Sequence, residues 1–468
     1  MNSQIFPPKL TSLLLIFLTI ILAIAYFIQI SKEDGNFLYT DFGKFYQSER
    51  LLLAGHDPYG QLIVSVDDKT NNVDKYTIQK YAGNLNPPFF QLLILPFGYL
   101  SYTAALWLWS VLSIACVVLS TFLLLNILQI KQRDFNLILG ITLALLIYFP
   151  TFVNIVFGQV TLFLLPLVII AWHCARRNNQ NCLGFLLGIA VSIKLFFGLF
   201  ALYFLMRRQW RALIIFCGTI LVCGLLPVLI FGKAIYLHYH AVLNHIWWYT
   251  CSWNASLYGF FARIFGIGEK NTPLIAIPGL AEKLYWFTSA MLTLSLLYFL
   301  KTETKIKPLL KIDLDFSIIL AAMLLLSPLG WSYYFPLLVI PVITLLQLAK
   351  ENFKPLVLLP LTCLAVMFTS SPRILEPPLA ISGAASILGW SGYYFYGLLL
   401  IFGLVFYVRI VLTWPWQTAA ALPKFIYIVL FIVMLLPSLL GILESSGTLA
   451  SMPEDSLQQL SVIKIKDR

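Results

Sequence analysis

Long apolar runs separated by short polar stretches dominate the chain. The first run covers residues 10–30, and further runs lie at residues 103–128, 136–152, 156–173, 213–231, 282–300, 317–329, 333–349, 355–368, 391–410 and 424–442. A spanning helix needs about 20 apolar residues, whereas strands of a membrane barrel alternate over about ten residues, and these runs do not alternate. The pattern predicts an all-α polytopic integral membrane protein with about 11 to 13 membrane segments.

Two further apolar stretches do not fit simple crossings. Residues 87–100 are short and begin with two prolines, and a full crossing there would place the basic cluster at residues 131–133 outside the cell. We therefore predict an interfacial or re-entrant helix. Residues 182–206 have arginine clusters at both ends. A single crossing is one interpretation, but a hairpin broken around residues 194–198 keeps both clusters on the cytoplasmic side.

The same charge rule orients the remaining segments. Lys9 precedes the first run, which predicts a cytoplasmic N-terminus, a first outer loop at residues 31–86 and a second outer segment at residues 232–280. The second outer segment is rich in aromatic residues that suit an interfacial helix on the outer face. Residues 1–442 are predicted to form a single transmembrane domain, followed by a loosely ordered tail at 443–468.

Composition and charge exclude several classes of protein. Of 468 residues, 60% are hydrophobic and 11% are charged. The excess of 31 Lys and Arg over 20 Asp and Glu falls largely in short loops between apolar runs, which is typical of membrane topology and not of nucleic-acid binding. The seven cysteines form no CxxC pair, and His238, His240 and His245 match no zinc spacing. We therefore expect no metal and no cofactor.

Three charged residues could carry chemistry in this apolar chain. Asp41 lies shortly after the first run, where a carboxylate could act as general base towards an acceptor hydroxyl, although it could also be a helix N-cap. Asp57, before a proline, is predicted to be a turn residue. Lys194 lies in an apolar stretch and could stabilise a lipid phosphate, or its ammonium could reach the membrane surface along its flexible stem.

Six sequence motifs, taken in their order along the chain, resemble those of a known protein family. The segments DFGKFYQSERLLLAGHDPY, NPPFF, GQVTLFLL, SIKLFFGLFALYFLMRRQWRAL, NASLYG and SPLGWSYY follow one another between about Tyr39 and Pro336. In this order they resemble the GT-C membrane glycosyltransferases. The most similar group is glycosyltransferase family 87, the polyprenyl-phosphate-mannose-dependent α-mannosyltransferase-like proteins. The resemblance implies a GT-C-type helical bundle with interfacial helices on the outer face.

The resemblance also implies a reaction and a location. The reaction would be inverting transfer of a sugar, with mannose expected first and arabinose or another sugar possible, from a polyprenyl-phosphate-linked donor. The acceptor would be a lipid or a glycan, with membrane lipids as the other partners and no nucleic acid. The location would be the bacterial cytoplasmic (inner) membrane, with the active site facing the periplasm or cell exterior.

Roles for individual residues follow from their positions in the matching motifs. Asp41 would be the catalytic base, and the donor phosphate would contact Lys194, Tyr333 and Tyr334. The sugar or acceptor cavity would be lined by Tyr59, Asn86, Gln159, Asn254, Ser256 and Trp331. No metal ligand is implied.

Two positions depart from the family pattern. Thr161 stands where the family often has asparagine, and Tyr333 stands where it often has histidine. A tyrosine can donate a hydrogen bond to phosphate but cannot carry a positive charge near neutral pH. Two other functions therefore stay open: a transporter or flippase of lipid-linked or anionic substrates, which broken helices also suit, and a non-catalytic assembly partner.

Overall fold

The structure is a computed structural model that describes residues 8–34, 40–59, 84–130, 134–244, 246, 248–266, 277–302, 306–351, 353–370 and 393–412. Within these ranges the chain is helical and contains no β-strand. The predicted all-α polytopic class is thereby confirmed. The predicted span at 424–442 and the tail at 443–468 lie outside the described residues.

The first half of the chain supplies nine helices to the described part. They are α1 (Pro8–Asp34), α2 (Asp41–Leu53), α3 (Pro88–Ile94), α4 (Tyr102–Ile127), α5 (Phe135–Ile147), α6 (Phe149–Val156), α7 (Thr161–Arg176), α8 (Gln180–Ile193) and α9 (Phe200–Met206). Two 3₁₀ segments, Leu95–Tyr99 and Leu195–Leu199, extend α3 and precede α9.

The second half supplies the remaining described helices. They are α10 (Trp210–Phe231), α11 (Ala234–Leu243), α12 (Leu257–Phe265), α13 (Leu280–Lys301), α14 (Pro308–Leu326), α15 (Val339–Lys350), α16 (Pro355–Ser370) and α17 (Tyr393–Val411). A 3₁₀ segment, Ser332–Leu338, leads directly into α15.

Six of the described helical stretches are long and apolar enough to cross a membrane, or seven if the bent pair α5 and α6 counts as one span. The described part of the chain also has five shorter apolar helical stretches of 10–17 residues, and one of them, Pro88–Tyr99, lies within the short helix predicted at 87–100. Helices α1, α10 and α13 expose most of their apolar surface, as lipid-facing helices do, whereas α14 is buried along most of its length. α14 is therefore the central helix of the bundle.

The span predicted at 136–152 consists of two helices that meet at a bend. α5 and α6 meet at an angle of 73°. Tyr148 at the junction has an extended ψ of 115°, and Pro150 lies in the first turn of α6. A proline there removes a backbone donor and its ring would clash with the preceding turn, so the helix breaks and restarts. The restarted helix reaches Val156, close to the turn that precedes α7.

The broken hairpin predicted at 182–206 is confirmed. Lys194 adopts an extended conformation (φ −141°, ψ 111°) that ends α8. Gly184 lies against Ala212, and Gly188 lies against Phe216 and Thr219 on α10. The contacting residue numbers increase together along α8 and α10, so the two helices run parallel. The chain between them must therefore return to the end of the bundle where α8 began.

Buried ion pairs define that end of the bundle, which we call the basic end. Asp315 on α14 accepts hydrogen bonds from Arg207 and Arg409, each at 2.8 Å, and Asp313 pairs with Arg176 at 3.5 Å. The sequence patterns placed the start of this span at residue 317 and missed both acids. α14 extends past them because the three arginines neutralise the two carboxylates within the bundle.

Gly184 offers a test of the close approach between α8 and α10. A Cβ at residue 184 would lie 2.3 Å from the backbone oxygen of Ala212, which cannot move without shifting α10. We expect Gly184→Ala to destabilise the protein by about 1–3 kcal/mol, the usual effect of overpacking. Thermal unfolding in detergent measures it.

The control for this variant is Gly218→Ala on α10, where an added Cβ meets nothing within 4 Å. The control should keep or slightly raise the unfolding temperature because alanine favours a helix. Equal unfolding temperatures for Gly184→Ala and the control would contradict the close approach of the two helices at Gly184.

Candidate active site

Asp41 is the first residue of α2, and Thr40, not Asp41, caps that helix. The Thr40 hydroxyl oxygen accepts a hydrogen bond from the Gly43 backbone N–H at 2.9 Å. The Asp41 carboxylate therefore lies at the positive N-terminal end of the helix with its side chain available for other contacts. The interpretation of Asp41 as an ordinary N-cap is wrong.

Both oxygens of the Asp41 carboxylate have partners. The Lys44 ammonium donates to Oδ1 at 2.8 Å, and the Gln159 side-chain amide donates to Oδ2. The Asp41 side chain remains 19% exposed, so it is reachable from outside the protein. Gln159 was predicted to line a sugar or acceptor cavity, and the structure places it directly on Asp41.

A single turn before α7 holds the start of α2 in place. The Phe42 backbone N–H donates to the Phe157 carbonyl at 3.0 Å. Gly158 has a φ of +69°, and a Cβ there would lie 2.3 Å from the Phe42 side chain. Glycine is therefore required at residue 158 both for its backbone conformation and for the close approach of α2. This turn places the Gln159 side chain in contact with Asp41.

Lys194 reaches the same region from the break after α8. Its side chain is buried, and its ammonium lies 5.4 Å from the centroid of the Tyr334 ring, within cation–π range. Asn154 connects this region to Asp41: its carbonyl accepts a hydrogen bond from the Gln159 backbone N–H at 2.8 Å, and its amide donates to the Tyr333 carbonyl at 2.7 Å. Four predicted site residues that are far apart in sequence thus share one region, at the opposite end of α8 from the basic end. We call it the site end.

A cavity of about 520 Å³ opens beside Lys194. Its walls come from the α8–α9 break, the end of α14 and the second outer segment, and they include Leu195, Phe196, Tyr239 and Trp331. The lining is apolar apart from the Lys194 ammonium, one serine and a few aromatic polar groups. A predominantly apolar cavity with one cation suits an anion that carries a hydrocarbon chain. Asp41 itself is not among the lining residues.

Asn254 and Ser256 lie next to the cavity and hold two of its walls together. The Asn254 amide donates to the Tyr249 carbonyl at 2.9 Å and the Pro328 carbonyl at 3.0 Å, and its oxygen accepts from the Gly330 N–H at 3.1 Å. Ser256 caps α12 and donates to the Pro328 carbonyl at 3.1 Å. Neither residue is part of the lining; together they fix the second outer segment against the turn that leads to Trp331.

The two aromatic residues after that turn have different positions. Trp331 lines the cavity, and its ring lies nearly parallel to that of Tyr334 at 6.3 Å between centroids. Tyr333 is half-buried, and its carbonyl accepts a hydrogen bond from the Asn154 amide at 2.7 Å. Thr161, the second departure from the family pattern, is buried at the start of α7 with no partner for its hydroxyl among the described residues.

Tyr59 and Asn86 lie together in a layer next to the cavity. The Tyr59 hydroxyl donates to the Asn86 carbonyl at 2.8 Å, and its ring contacts that of Tyr239 at 5.3 Å. Asn86 is flanked by Leu85 and Pro87, which both line the cavity, while its own side-chain oxygen is buried without a partner in the described part of the chain.

The sequence patterns also missed a buried acid on α2, whose side chain lies against Gly98. Glu49 on α2 is fully buried, and neither carboxylate oxygen has a partner among the described residues. Burial raises the pKa of Glu49 to about 9, so the carboxyl is neutral at pH 7. The signal was present in sequence, because Glu49 follows Phe45 by one helical turn and therefore shares its buried face.

The remaining polar candidates have structural partners. The Asp57 carboxylate accepts a hydrogen bond from the Tyr59 N–H at 2.9 Å, which confirms the predicted turn, and it also pairs with His238 at 3.0 Å. His240 contacts Asn244, and residue 245 lies outside the described residues. The described residues contain no group of three side chains that could hold a metal ion.

The sequence belongs to a known family of membrane enzymes. The model of glycosyltransferase family 87 matches residues 84–328, more than half of the chain, and the chain belongs to this family. The matched region includes Gln159 and Lys194, whereas Asp41 and Tyr333 lie on either side of it. No solved structure matches the chain significantly.

Curated relatives are mycobacterial. A polyprenol-phosphate-mannose-dependent alpha-(1-2)-phosphatidylinositol mannoside mannosyltransferase of Mycobacterium tuberculosis is 28% identical over 171 residues, covering 34% of this chain and 40% of the relative. Its namesake in Mycolicibacterium smegmatis is 27% identical over 199 residues, covering 39% and 44%. An alpha-(1->3)-arabinofuranosyltransferase of M. tuberculosis is 30% identical over 139 residues, covering 28% and 30%. The chain thus spans less than half the length of these relatives.

The buried carboxyl of Glu49 makes a pH-dependent prediction. Its pKa is raised to about 9 from 4.5, so between these pH values the folded protein holds a proton that the unfolded chain releases, and stability falls as pH rises. Glutamine keeps the shape and removes the titration. We expect Glu49→Gln to unfold at nearly the wild-type temperature at pH 5 and at a higher temperature than wild type by pH 8.

The measurement is thermal unfolding in detergent at pH 5, 6.5 and 8. Glu351→Gln, at the exposed end of α15, is the matched control and should follow wild type at every pH. A difference between Glu49→Gln and wild type that stays constant with pH would contradict a neutral buried carboxyl.

Proposed function

We propose that the protein is an inverting glycosyltransferase that moves a sugar from a polyprenyl-phosphate-linked donor to a lipid or glycan acceptor. Membership of glycosyltransferase family 87 supports this class. The observation that carries the proposal is that Asp41 and Lys194, far apart in sequence, lie at the same end of the bundle, where hydrogen bonds through Gln159 and Asn154 connect Asp41 to the Tyr333–Tyr334 segment beneath the Lys194 ammonium. Lys194 lines a largely apolar cavity there. A base, a cation and a place for a lipid chain are what such a transfer requires.

The donor would bind at Lys194 with its lipid chain in the cavity. The ammonium pairs with the single negative charge of the phosphodiester, and the Tyr333 and Tyr334 hydroxyls can donate hydrogen bonds to its oxygens. Apolar walls formed by Leu195, Phe196 and other cavity residues receive the first prenyl units. Tyrosine at residue 333 carries no charge near neutral pH, so the positive charge for the phosphate comes from Lys194.

The chemistry needs one proton transfer and one displacement. Asp41 takes the proton of the acceptor hydroxyl as the acceptor oxygen forms a bond to the anomeric carbon of the sugar. The bond from that carbon to the phosphate oxygen breaks on the opposite face, and its electron pair leaves with the polyprenyl phosphate. The configuration at the carbon inverts, and Lys194 stabilises the charge that grows on the leaving phosphate.

The sugar, the acceptor and the membrane face are finer parts of the proposal. Mannose is the first donor to test and arabinofuranose the second, since the relatives' names include both sugars, and a glycolipid acceptor follows from the mannosyltransferase names. The arginines of the basic end indicate a cytoplasmic side by the charge rule. The site end then faces the periplasm or cell exterior of a bacterial inner membrane.

A transporter or flippase is the competing class, and no specific observation favours it. A transporter must open its site to each side in turn. Here the end opposite the cavity is occupied by α14 with its buried ion pairs between Asp313, Asp315 and three arginines. A site approached from one end supports group transfer over transport.

Replacing the proposed base should remove transfer while sparing donor binding. We expect Asp41→Asn to lower the transfer rate by about 100-fold to 10,000-fold, the usual contribution of a general base. The assay is sugar transfer from polyprenyl-phosphate-linked mannose or arabinose by the purified full chain in liposomes, with donor binding measured separately.

The control for the base is Asp57→Asn, which removes a carboxylate from the same outer loop and should transfer within a few-fold of wild type. Undiminished transfer by Asp41→Asn would sink the assignment of the base. No transfer by wild type from any tested donor would favour a transporter or a non-catalytic assembly partner.

Replacing the proposed phosphate cation should act on the donor. We expect Lys194→Met to raise the KM for donor and lower kcat, with a combined loss of about 10-fold to 100-fold, because a charge-assisted hydrogen bond to phosphate disappears. Lys194→Arg should recover part of the loss. Steady-state kinetics with varied donor measure both constants, and a change confined to the acceptor KM would move Lys194 out of the donor site.

A further inference from the structure

We propose that Asn154 is a positioning residue whose side-chain amide fixes the distance between Asp41 and the Tyr333–Tyr334 segment, and thereby sets the rate of transfer. This inference rests on the proposed function, in which Asp41 is the base and the two tyrosines meet the donor phosphate. It assigns a role in kcat to a residue of α6 that does not line the cavity. The hydrogen bonds that its backbone and its side chain make on opposite sides of the site carry the inference.

The backbone of Asn154 belongs to the side of the site that holds the base. Its carbonyl accepts a hydrogen bond from the Gln159 backbone N–H at 2.8 Å, and the Gln159 side chain binds the Asp41 carboxylate. Phe157, the residue that follows α6, accepts the Phe42 N–H at 3.0 Å. The position of Asp41 thus depends on the main chain at the end of α6, and a substitution at residue 154 leaves these backbone bonds in place.

The side chain of Asn154 binds the segment on the other side of the site. Its amide nitrogen donates to the Tyr333 carbonyl at 2.7 Å and to the Pro150 carbonyl, one turn earlier in α6, also at 2.7 Å. The next residue, Tyr334, has its ring centroid 5.4 Å from the Lys194 ammonium. Asn154 therefore joins the structure that holds the proposed base to the segment proposed to hold the phosphate.

An amide is the side chain that these contacts require. Asn154 is fully buried, and both hydrogens of its NH2 group go to backbone carbonyls. Serine, threonine and tryptophan have one donor each, and arginine or lysine would bury a charge, so only asparagine and glutamine offer two uncharged donors on one nitrogen. The Asn154 oxygen has no partner among the described residues, which lowers stability. An unpaired buried acceptor beside a fully used donor is typical of a residue that serves a site.

The distance that Asn154 fixes matters because the displacement is in line. The acceptor oxygen enters on one face of the anomeric carbon and the phosphate oxygen leaves from the other, so Asp41 and the phosphate must be held at one separation. A misplacement of about 1 Å can lower the rate of such a step by about 100-fold. The charge that binds the donor is on Lys194 and does not depend on the amide. Loss of the amide should therefore disturb alignment more than donor affinity.

The experiment measures kcat and the donor KM for the full chain in liposomes. Asn154→Leu has nearly the wild-type volume and no donor, and we expect its kcat to fall by about 10-fold to 100-fold while the donor KM stays within about threefold of wild type. Asn154→Asp keeps the shape without the NH2 group and should lower kcat in the same way. Unfolding temperatures in detergent show which variants fold, and the aspartate variant carries the test if the leucine variant does not fold.

The matched control is Thr142→Val on α5, the other half of the bent pair. It removes a buried hydrogen bond, from the Thr142 hydroxyl to the Thr121 hydroxyl at 3.2 Å, that has no connection to Asp41 or the Tyr333 carbonyl. This variant should leave kcat and the donor KM unchanged. A fall in kcat equal to that of Asn154→Leu would show that any lost buried bond in this region has the same effect, and would overturn the specific role of Asn154.

Combination with Lys194→Met separates positioning from a merely structural role. If Asn154 aligns the phosphate that Lys194 holds, loss of the cation already releases that phosphate, and Asn154→Leu should then lower kcat by less than about threefold further. A loss by the same factor in both backgrounds would overturn the inference, because a residue that only supports the fold acts independently of the cation. Transfer by wild type with an unchanged kcat in the Asn154 variants would overturn this inference alone. Absence of transfer by wild type would overturn the proposed function and this inference together, so the two failures are distinguishable.

Discussion

The hydrogen bond from the Phe42 N–H to the Phe157 carbonyl fixes the geometry on which the candidate site depends. α2 follows a spanning helix and is itself too polar to be held by lipid, so its position depends on contacts with the bundle. The turn that accepts it contains Gly158 and ends in Gln159, which binds Asp41 directly. One short turn therefore both docks the helix and orients its carboxylate.

The two ends of the bundle use charge in different ways. At the basic end each buried carboxylate is in contact with arginine, and Asp315 has two such partners. At the site end Lys194 contacts only the ring of Tyr334 among the ion-pair and ring contacts of the described residues. Charge that is neutralised within the protein contributes to structure, whereas a buried cation that lacks a carboxylate in contact is suited to an anionic ligand.

The helical class, most span positions and the broken hairpin were predictable, because runs of apolar residues and the positions of arginines depend on lipid and membrane potential more than on packing. Lys194 was recognisable since a lysine in an apolar run requires a reason. Asn254 and Ser256 were not separable from ligand-contacting residues, because the same polar side chains suit a turn and a sugar. Asp313 and Asp315 were missed because their partners lie on helices that are distant in sequence.

The hairpin formed by α8, the break at Lys194 and α9 begins and ends at the same end of the bundle. The hairpin therefore does not count as a membrane crossing. Every later helix keeps its direction across the membrane whether the hairpin is short, long or absent. Its length is constrained only by the depth at which Lys194 must be placed; α8, with 14 residues, rises about 21 Å. The depth of the lysine at this break and the membrane topology of the later helices can thus change independently of each other in related sequences with the same hairpin.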